Sequence, residues 1–168
     1  MELTKEFSIG FKLPNKSFVD TDTFVIQEKY FRDIAELQSC YKFLRAGARK
    51  DVVFKGKDTK VAIVTCGGLC PGLNVVIKGL VDCLEFEYNV KEIWGIKWGY
   101  RGFYEDPNYW VKLDAEKTTV IQNMGGTILG SSRGGFDAEK MIKALKDRGI
   151  NQLYVIGGDG THRGIQNL

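Results

Sequence analysis

The strongest constraint on the fold is the alternation, from residue 61 onward, of short apolar runs with amphipathic segments. Residues 61–65, 92–97 and 152–156 are short and largely apolar, as expected for strands covered on both faces of a sheet. Residues 74–84 and 137–148 carry apolar side chains at helical spacing. Such alternation predicts an α/β fold of three layers, in which a mostly parallel sheet has helices on both faces.

Two further elements are predicted between these segments. Asp114 can cap a short helix that ends before Gly125, with Val120, Ile121 and Met124 on its inner face. Residues 127–129 are predicted to form a short strand or an extended piece. Asp137 is a good N-cap for the helix that follows, and Gly149 is a good C-terminal stop.

Residues 1–59 differ from the remainder, since they are rich in charge and contain few glycines. Apolar side chains at spacings of three and four predict one amphipathic helix over residues 31–44, with Ile34, Leu37, Tyr41 and Leu44 on one face. We interpret residues 1–59 as an N-terminal extension and residues 60–168 as the α/β domain.

Composition narrows the functional classes. The formal net charge of +3 is too small to indicate nucleic-acid binding, and the apolar runs are far shorter than the ~20 residues that span a bilayer. The first residues carry acids and lack a signal-peptide pattern, so we expect a cytoplasmic protein. The four cysteines and the single His162 lack the spacing of a zinc site, and we expect reduced thiols.

Three glycine-rich turns follow predicted strands, at residues 67–72, 130–135 and 157–161. In parallel sheets the ligand sites form at the carboxyl ends of the strands, so these turns should converge. Glycine lets backbone N–H groups approach phosphate oxygens because it has no Cβ atom. The three turns together therefore predict a site for a phosphate-bearing ligand.

The first two turns differ in the groups with which they could bind a phosphate. Residues 67–72 match the glycine spacing of a P-loop, but Leu73 and Asn74 replace its Lys and Ser/Thr, and the turn also lacks the dinucleotide pattern. A tight turn without a ligand remains an alternative there. In the second turn Arg133 can bind two phosphate oxygens with its planar guanidinium, unless it is a solvated surface arginine.

The third turn places the Asp159 carboxylate between Gly158 and Gly160. Magnesium bound to phosphates takes one or two carboxylates, so Asp159 is a candidate magnesium ligand; the alternative is a plain Asx turn. Thr161 can donate to a phosphate or cap the next helix. Tyr100, between two glycines, can stack on a base or sugar, or simply pack beside the loop.

Taken together, four motifs occur in the order and spacing of the 6-phosphofructokinase family, and the resemblance covers about residues 60–168. It is closest to the ATP-using, plant-type subgroup. The motifs are Val64-Thr65-Cys66-Gly67-Gly68-Leu69-Cys70-Pro71-Gly72-Leu73-Asn74, Gly99-Tyr100-Arg101-Gly102-Phe103, Gly130-Ser131-Ser132-Arg133-Gly134-Gly135 and Gly157-Gly158-Asp159-Gly160-Thr161.

The resemblance implies an ATP site with Mg²⁺, in the N-terminal part of a phosphofructokinase-like nucleotide-binding domain. It implies fructose 6-phosphate as acceptor, a role in glycolysis, and a homo-oligomer, either dimer or tetramer. Pyrophosphate-dependent members carry an aspartate at the position of Gly160, so glycine there implies ATP as donor. The implied ATP-binding residues are Gly67, Tyr100, Arg133, Gly134, Gly158, Asp159, Gly160 and Thr161, with Asp159 on magnesium.

The departure from the family pattern is the absence, within these 168 residues, of the Asp-rich segment that supplies the general base and of the sugar-binding motifs. We therefore expect no catalytic residue in this chain and no activity of the chain alone. A non-catalytic truncated paralogue, acting as a subunit partner, is an alternative. NAD kinases and diacylglycerol kinases share the Gly-Gly-Asp-Gly-Thr turn but lack the first and third motifs.

Overall fold

The computed structural model describes residues 18–20, 22–26, 30, 32–47 and 54–168. The chain divides into two compact units, Met1–Val53 and Phe54–Leu168. Within the described residues, every helix is too short or too polar to cross a membrane.

The first unit contains one short helix and two short strands. Strand β1 (Phe24–Ile26) pairs antiparallel with β2 (Lys42–Leu44), and α1 spans Ile34–Ser39. Asp33 caps α1, because its side chain accepts a 2.8 Å hydrogen bond from the Glu36 backbone N–H group.

The prediction of a single helix over residues 31–44 is wrong beyond Ser39. The backbone becomes extended at Cys40, with ψ at 153°, and the following residues pair with β1 instead of continuing the helix. Tyr41 and Leu44 therefore lie outside the helix, while residue 31 lies outside the described residues. Strand pairing satisfies the same backbone groups that a longer helix would have paired.

The second unit is built on a four-stranded sheet with the strand order β5-β4-β3-β6. Strand β3 (Lys60–Thr65) lies parallel to both β4 (Glu92–Ile96) and β6 (Gln152–Ile156). Strand β5 (Trp110–Leu113) runs antiparallel to β4 at the edge of the sheet. The sheet is thus mostly parallel, as predicted, and β5 is a strand that the sequence pattern did not reveal.

Four helices accompany the sheet. Helix α2 (Leu73–Asp82) continues as one π-helical turn, Cys83–Glu87, and α3 is a single turn, Ala115–Thr118. Helix α4 spans Ala138–Arg148 and α5 spans Asp159–Ile165. Both predicted ends of α4 are confirmed: the Asp137 side chain accepts from the Lys140 N–H group at 3.1 Å, and Gly149 ends the helix with φ at 66°.

The core lies on both faces of β3, whose residues 61–65 are buried. Val61 and Ile63 belong to one apolar cluster with the α2 residues Ile77 and Val81. Alternate residues of β3 point to the opposite face, where the second cluster includes α4. Its members from these two elements are Ala62, Val64, Met141 and Ala144. The three-layer arrangement, with helices on both faces, is confirmed.

Two predicted elements between β5 and α4 are corrected. Residues 127–129 form a turn and not a strand, since the Gly130 N–H group donates locally to the Thr127 carbonyl at 3.1 Å. The predicted helix from Asp114 stops at Thr118, and a 3₁₀ turn follows at Ile121–Asn123. Val120 and Met124 are exposed at 63% and 54%, so Ile121 alone faces the core.

Candidate phosphate-binding cleft

The carboxyl ends of β3 and β6 lie side by side. Thr65 is paired with Ile156 in parallel register, and the Cys66 N–H group extends the ladder by donating to the Ile156 carbonyl at 2.8 Å. The turns that follow these two strands consequently leave the sheet at the same edge. Between them lies a cleft of about 420 Å³.

The second glycine-rich turn reaches the same edge and is bonded to the first. The Ser131 hydroxyl donates to the Gly67 carbonyl at 2.7 Å, and the Gly67 N–H group donates to the Ser132 carbonyl at 3.0 Å. The Thr65 hydroxyl also donates to the Gly130 carbonyl at 2.6 Å. These bonds hold residues 130–132 against the end of β3, so the three turns meet as the sequence predicts.

Seven of the eight residues predicted for the site line this cleft, and Asp159 does not. Those seven are Gly67, Tyr100, Arg133, Gly134, Gly158, Gly160 and Thr161. Their contact with a nucleotide stays a prediction, since geometry alone shows only that they share one cavity. The lining also contains residues that the sequence analysis did not select: Cys66, Gly68, Ser132, Phe136 and Gly164.

For two of the lining residues that the sequence analysis did not select, Phe136 and Gly164, the sequence contains a weak indication of a role. Phe136 is an aromatic residue directly after a glycine-rich turn, and Gly164 is a glycine inside a helix, which usually has a packing or functional reason. A Cβ atom on Gly164 would lie 3.2 Å from both Phe136 Cδ2 and Tyr100 Cε2. Gly164 therefore allows two aromatic rings to approach α5 closely.

The glycines of the third turn fall into two classes. Gly157 is required by packing, because a Cβ atom there would lie 2.7 Å from Thr161 Cβ. At Gly158 and Gly160, by contrast, an added Cβ atom would meet none of the described atoms within 4 Å, and neither residue has a positive φ. Neither packing nor backbone strain among the described residues accounts for these two glycines.

Asp159 is the first residue of α5, between the two cleft-lining glycines, and its side chain is exposed. Its carboxylate makes no hydrogen bond or ion pair with any described residue. Across the described part of the chain, no group of three His, Cys, Asp or Glu residues could hold a metal ion. A lone carboxylate beside the cleft has the chemistry that magnesium accepts, since this ion takes one or two carboxylates and completes its coordination with phosphate oxygens and water.

Arg133 is the cationic residue of the cleft lining. Its Nη2 atom would lie 3.6 Å from a Cβ atom built on Gly68, so the guanidinium extends over the first turn. It forms no ion pair with a described residue. An unpaired guanidinium above an N–H-rich turn is a suitable partner for an anionic oxygen.

Tyr100 forms part of the cleft wall and is only 5% exposed. Its hydroxyl donates to the Thr161 carbonyl at 2.6 Å, and its ring packs edge-on against Phe136 at a centroid distance of 5.4 Å. Burial, with a smaller contribution from Cys66, raises the pKa of Tyr100 to about 12. Burial also raises the pKa of the Cys66 thiol to about 12, against a hydrogen bond from the Tyr100 backbone that lowers it. The raised pKa values keep both the Cys66 thiol and the Tyr100 hydroxyl protonated at neutral pH.

Comparison with known proteins supplies the family context of this cleft. Residues 60–168 match the family model described as Phosphofructokinase. The chain is 52% identical over 122 residues to ATP-dependent 6-phosphofructokinase 7 of Arabidopsis thaliana, covering 73% of this chain and 25% of that protein. It is 46% identical over 156 residues to ATP-dependent 6-phosphofructokinase 2 of the same plant, covering 92% of this chain and 35% of the relative.

Solved structures of phosphofructokinases also resemble this chain. The crystal structure of Pichia pastoris phosphofructokinase in the T-state aligns with a TM-score of 0.60 and 26% identity, over 77% of this chain and 14% of that chain. The phosphofructokinase of Saccharomyces cerevisiae aligns with a TM-score of 0.56 and 28% identity, over 63% of this chain and 15% of that one. The chain thus spans about a quarter to a third of the length of the curated relatives named above.

Proposed function

Because this chain belongs to the phosphofructokinase family, we propose that residues 60–168 form the phosphoryl-donor site of an ATP-dependent 6-phosphofructokinase. The complete protein would transfer the terminal phosphoryl group of ATP to fructose 6-phosphate, as a step of glycolysis. Two named relatives are themselves ATP-dependent 6-phosphofructokinases, which supports ATP as the donor here.

The observation that carries the proposal is the pair of cleft-lining glycines Gly158 and Gly160. Gly160 lies within α5, where glycine costs about 1 kcal/mol relative to alanine, yet a side chain at that position would have room among the described residues. A ligand in the cleft explains this cost. Without Cβ atoms, the wall lets phosphate oxygens approach the backbone N–H groups of residues 158–160.

The roles of the remaining residues follow from their places. Arg133 would neutralise phosphate charge from above the first turn, and Gly67 and Gly134 would leave room for the polyphosphate. Asp159 would hold Mg²⁺, which supplies positive charge for the phosphate oxygens when bound. Thr161 would donate its hydroxyl to a phosphate, since its side chain lines the cleft.

Gly160 would also discriminate between donors. An aspartate at this position would put a negative charge on the cleft wall, where it would repel the charged phosphates of ATP. Glycine leaves that wall neutral and open, which fits the nucleotide as donor.

The proposal extends to the whole protein. Residues 1–59 would form an N-terminal extension, and residues 60–168 would belong to a larger nucleotide-binding domain of a homo-oligomer. We place the protein in the cytoplasm, because its four cysteines are free thiols, as is usual in a reducing compartment. The 168 residues alone would supply the donor wall without the acceptor site. We expect no ATP-dependent phosphorylation of fructose 6-phosphate by this chain, and measurable turnover would contradict that expectation.

Calorimetric titration with Mg-ATP tests the donor site. We expect the wild-type chain to bind Mg-ATP and Gly160→Asp to bind it at least about tenfold more weakly, since one close like-charge contact is worth more than 1.4 kcal/mol in a partly buried cleft. Gly125→Asp is the matched control, because position 125 is also open and lies outside the cleft lining. Equal affinities of Gly160→Asp and wild type would refute the proposal.

A further inference from the structure

Tyr100 connects two of the turns that form the cleft. Its hydroxyl donates to the Thr161 carbonyl, in the turn after β6, at 2.6 Å. Its side chain belongs to the same buried apolar cluster as Cys66, the residue directly after β3. The preceding residue, Gly99, has φ at 67°, and a Cβ atom there would lie 3.1 Å from the Ser132 carbonyl oxygen. The segment around Tyr100 therefore contacts the second and third turns and packs beside the residue that precedes the first.

The Tyr100 ring has little free surface for stacking. It is only 5% exposed and meets Phe136 at an interplanar angle of 75°. Gly164 lies on another side of the ring, since a Cβ atom there would lie 3.2 Å from both Tyr100 Cε2 and its hydroxyl oxygen. Stacking on a base requires an open ring face, and nearly all of the Tyr100 side chain is covered by protein.

We propose that Tyr100 is a positioning residue of the donor site, which acts by holding the Thr161 carbonyl and thereby fixing residues 157–161 against the first turn. This inference rests on the proposed function and deepens it. It assigns the effect of Tyr100 on ATP to the phosphate end of the nucleotide and not to the base.

The bond is suited to this task because it persists under physiological conditions. Burial raises the pKa of Tyr100 to about 12, so the hydroxyl remains a donor at neutral pH. The Thr161 carbonyl that Tyr100 holds is part of this turn, because the Thr161 N–H group donates to the Gly158 carbonyl at 3.0 Å. Thr161 lies inside α5, so its carbonyl keeps its place in the helical ladder when the hydroxyl is removed, but the bond that ties this turn to the segment around Tyr100 is lost.

Binding of ATP, ADP and adenosine to Tyr100→Phe tests the assignment. We expect about tenfold weaker binding of Mg-ATP, the typical worth of one buried hydrogen bond, with adenosine affinity within about twofold of wild type. Tyr154→Phe is the matched control, since it removes a hydroxyl that bonds Gln152 outside the cleft. An equal loss for ATP and adenosine, or no loss for either, would overturn the proposal.

Amide hydrogen exchange of the ligand-free chain separates this inference from the proposed function. Tyr100→Phe should speed exchange of the Thr161 and His162 amides, which both donate to the Gly158 carbonyl, and leave α4 unchanged. Unchanged rates at Thr161 and His162 would overturn the positioning role. A wild-type chain that binds no Mg-ATP would instead overturn the donor site, while the exchange comparison would still decide the role of Tyr100.

If Tyr100→Phe does not fold, the wild-type chain provides the test. The hydroxyl proton of Tyr100 should exchange slowly with water, both before and after Mg-ATP is added. Loss of this slowly exchanging proton on nucleotide binding would overturn the inference, because the hydroxyl would then have left Thr161 for the ligand.

Discussion

The side chain of Thr161 folds back over Gly157, so that a Cβ atom on this glycine would lie 2.7 Å from both Thr161 Cβ and Thr161 Cγ2. The turn after β6 is closed by this contact and by the bond from the Thr161 N–H group to the Gly158 carbonyl. Gly157 therefore serves the fold, while Gly158 and Gly160 face the cleft without a packing role among the described residues.

The two kinds of glycine predict opposite effects on stability. Gly157→Ala should lower the free energy of unfolding by about 1–3 kcal/mol, the usual cost of overpacking, because Thr161 must move. Gly160→Ala should raise it by about 0.5–1 kcal/mol, since alanine favours the helix and has room. Urea denaturation measures both. A stabilising Gly157→Ala or a strongly destabilising Gly160→Ala would contradict the distinction.

Asn74 should be important for the loop that leads to the second turn. This residue is 2% exposed; its side chain donates to the Met124 carbonyl at 2.9 Å and accepts from the Ile128 N–H group at 2.8 Å. Asn74→Ala should destabilise the chain by about 2–4 kcal/mol, because two backbone groups lose their partners. The exposed Asn123→Ala serves as the control in the same denaturation experiment, and equal effects of the two variants would exclude this role.

The raised pKa of Cys66 predicts a loss of stability at alkaline pH. The folded pKa of about 12 lies above the ordinary 9.0, so the folded state binds more protons than the unfolded state between these values. The stability associated with the neutral thiol is fully present below pH 9 and is lost as the pH rises toward 12. Tyr100, whose pKa is raised from 10.0 to about 12, adds a slope of the same sign above pH 10.

Denaturation midpoints between pH 8 and pH 11 measure this dependence. Cys66→Ala should show a shallower decline than wild type, while Cys70→Ala should match wild type because Cys70 is exposed. A decline that is identical in Cys66→Ala and wild type would show that the buried thiol makes no contribution.

The layered sheet and the meeting of the three turns were predictable because they depend on periodicity and glycine placement. The apolar run at residues 152–156 predicted the bounds of β6, because such a run is typical of a buried strand. Gly149 predicted the end of α4, because glycine is the residue that most readily adopts a positive φ. The sequence also predicts which residues can bind phosphate, because that chemistry resides in the residue type.

The features that could not be predicted depend on contacts between residues that are distant in sequence. Strand β5 has only four residues, a length at which periodicity cannot separate strand from loop, and it exists because β4 accepts it. The helix predicted over residues 31–44 fails since Lys42–Leu44 pairs with β1. The bond from Tyr100 to Thr161 joins residues 61 positions apart, so no local pattern reveals it.

The central claim is that the three turns bind the phosphates of one Mg-ATP molecule, and titration of the ¹⁵N-labelled chain with Mg-ATP, followed by amide chemical shifts, tests it most directly. The account predicts large shifts of the cleft amides with one common dissociation constant, including Gly67, Gly68, Gly134, Gly158 and Gly160. Shifts concentrated elsewhere, such as at Lys140, Lys143 and Arg148 of the neighbouring surface cleft, or no shifts at saturating nucleotide, would contradict it.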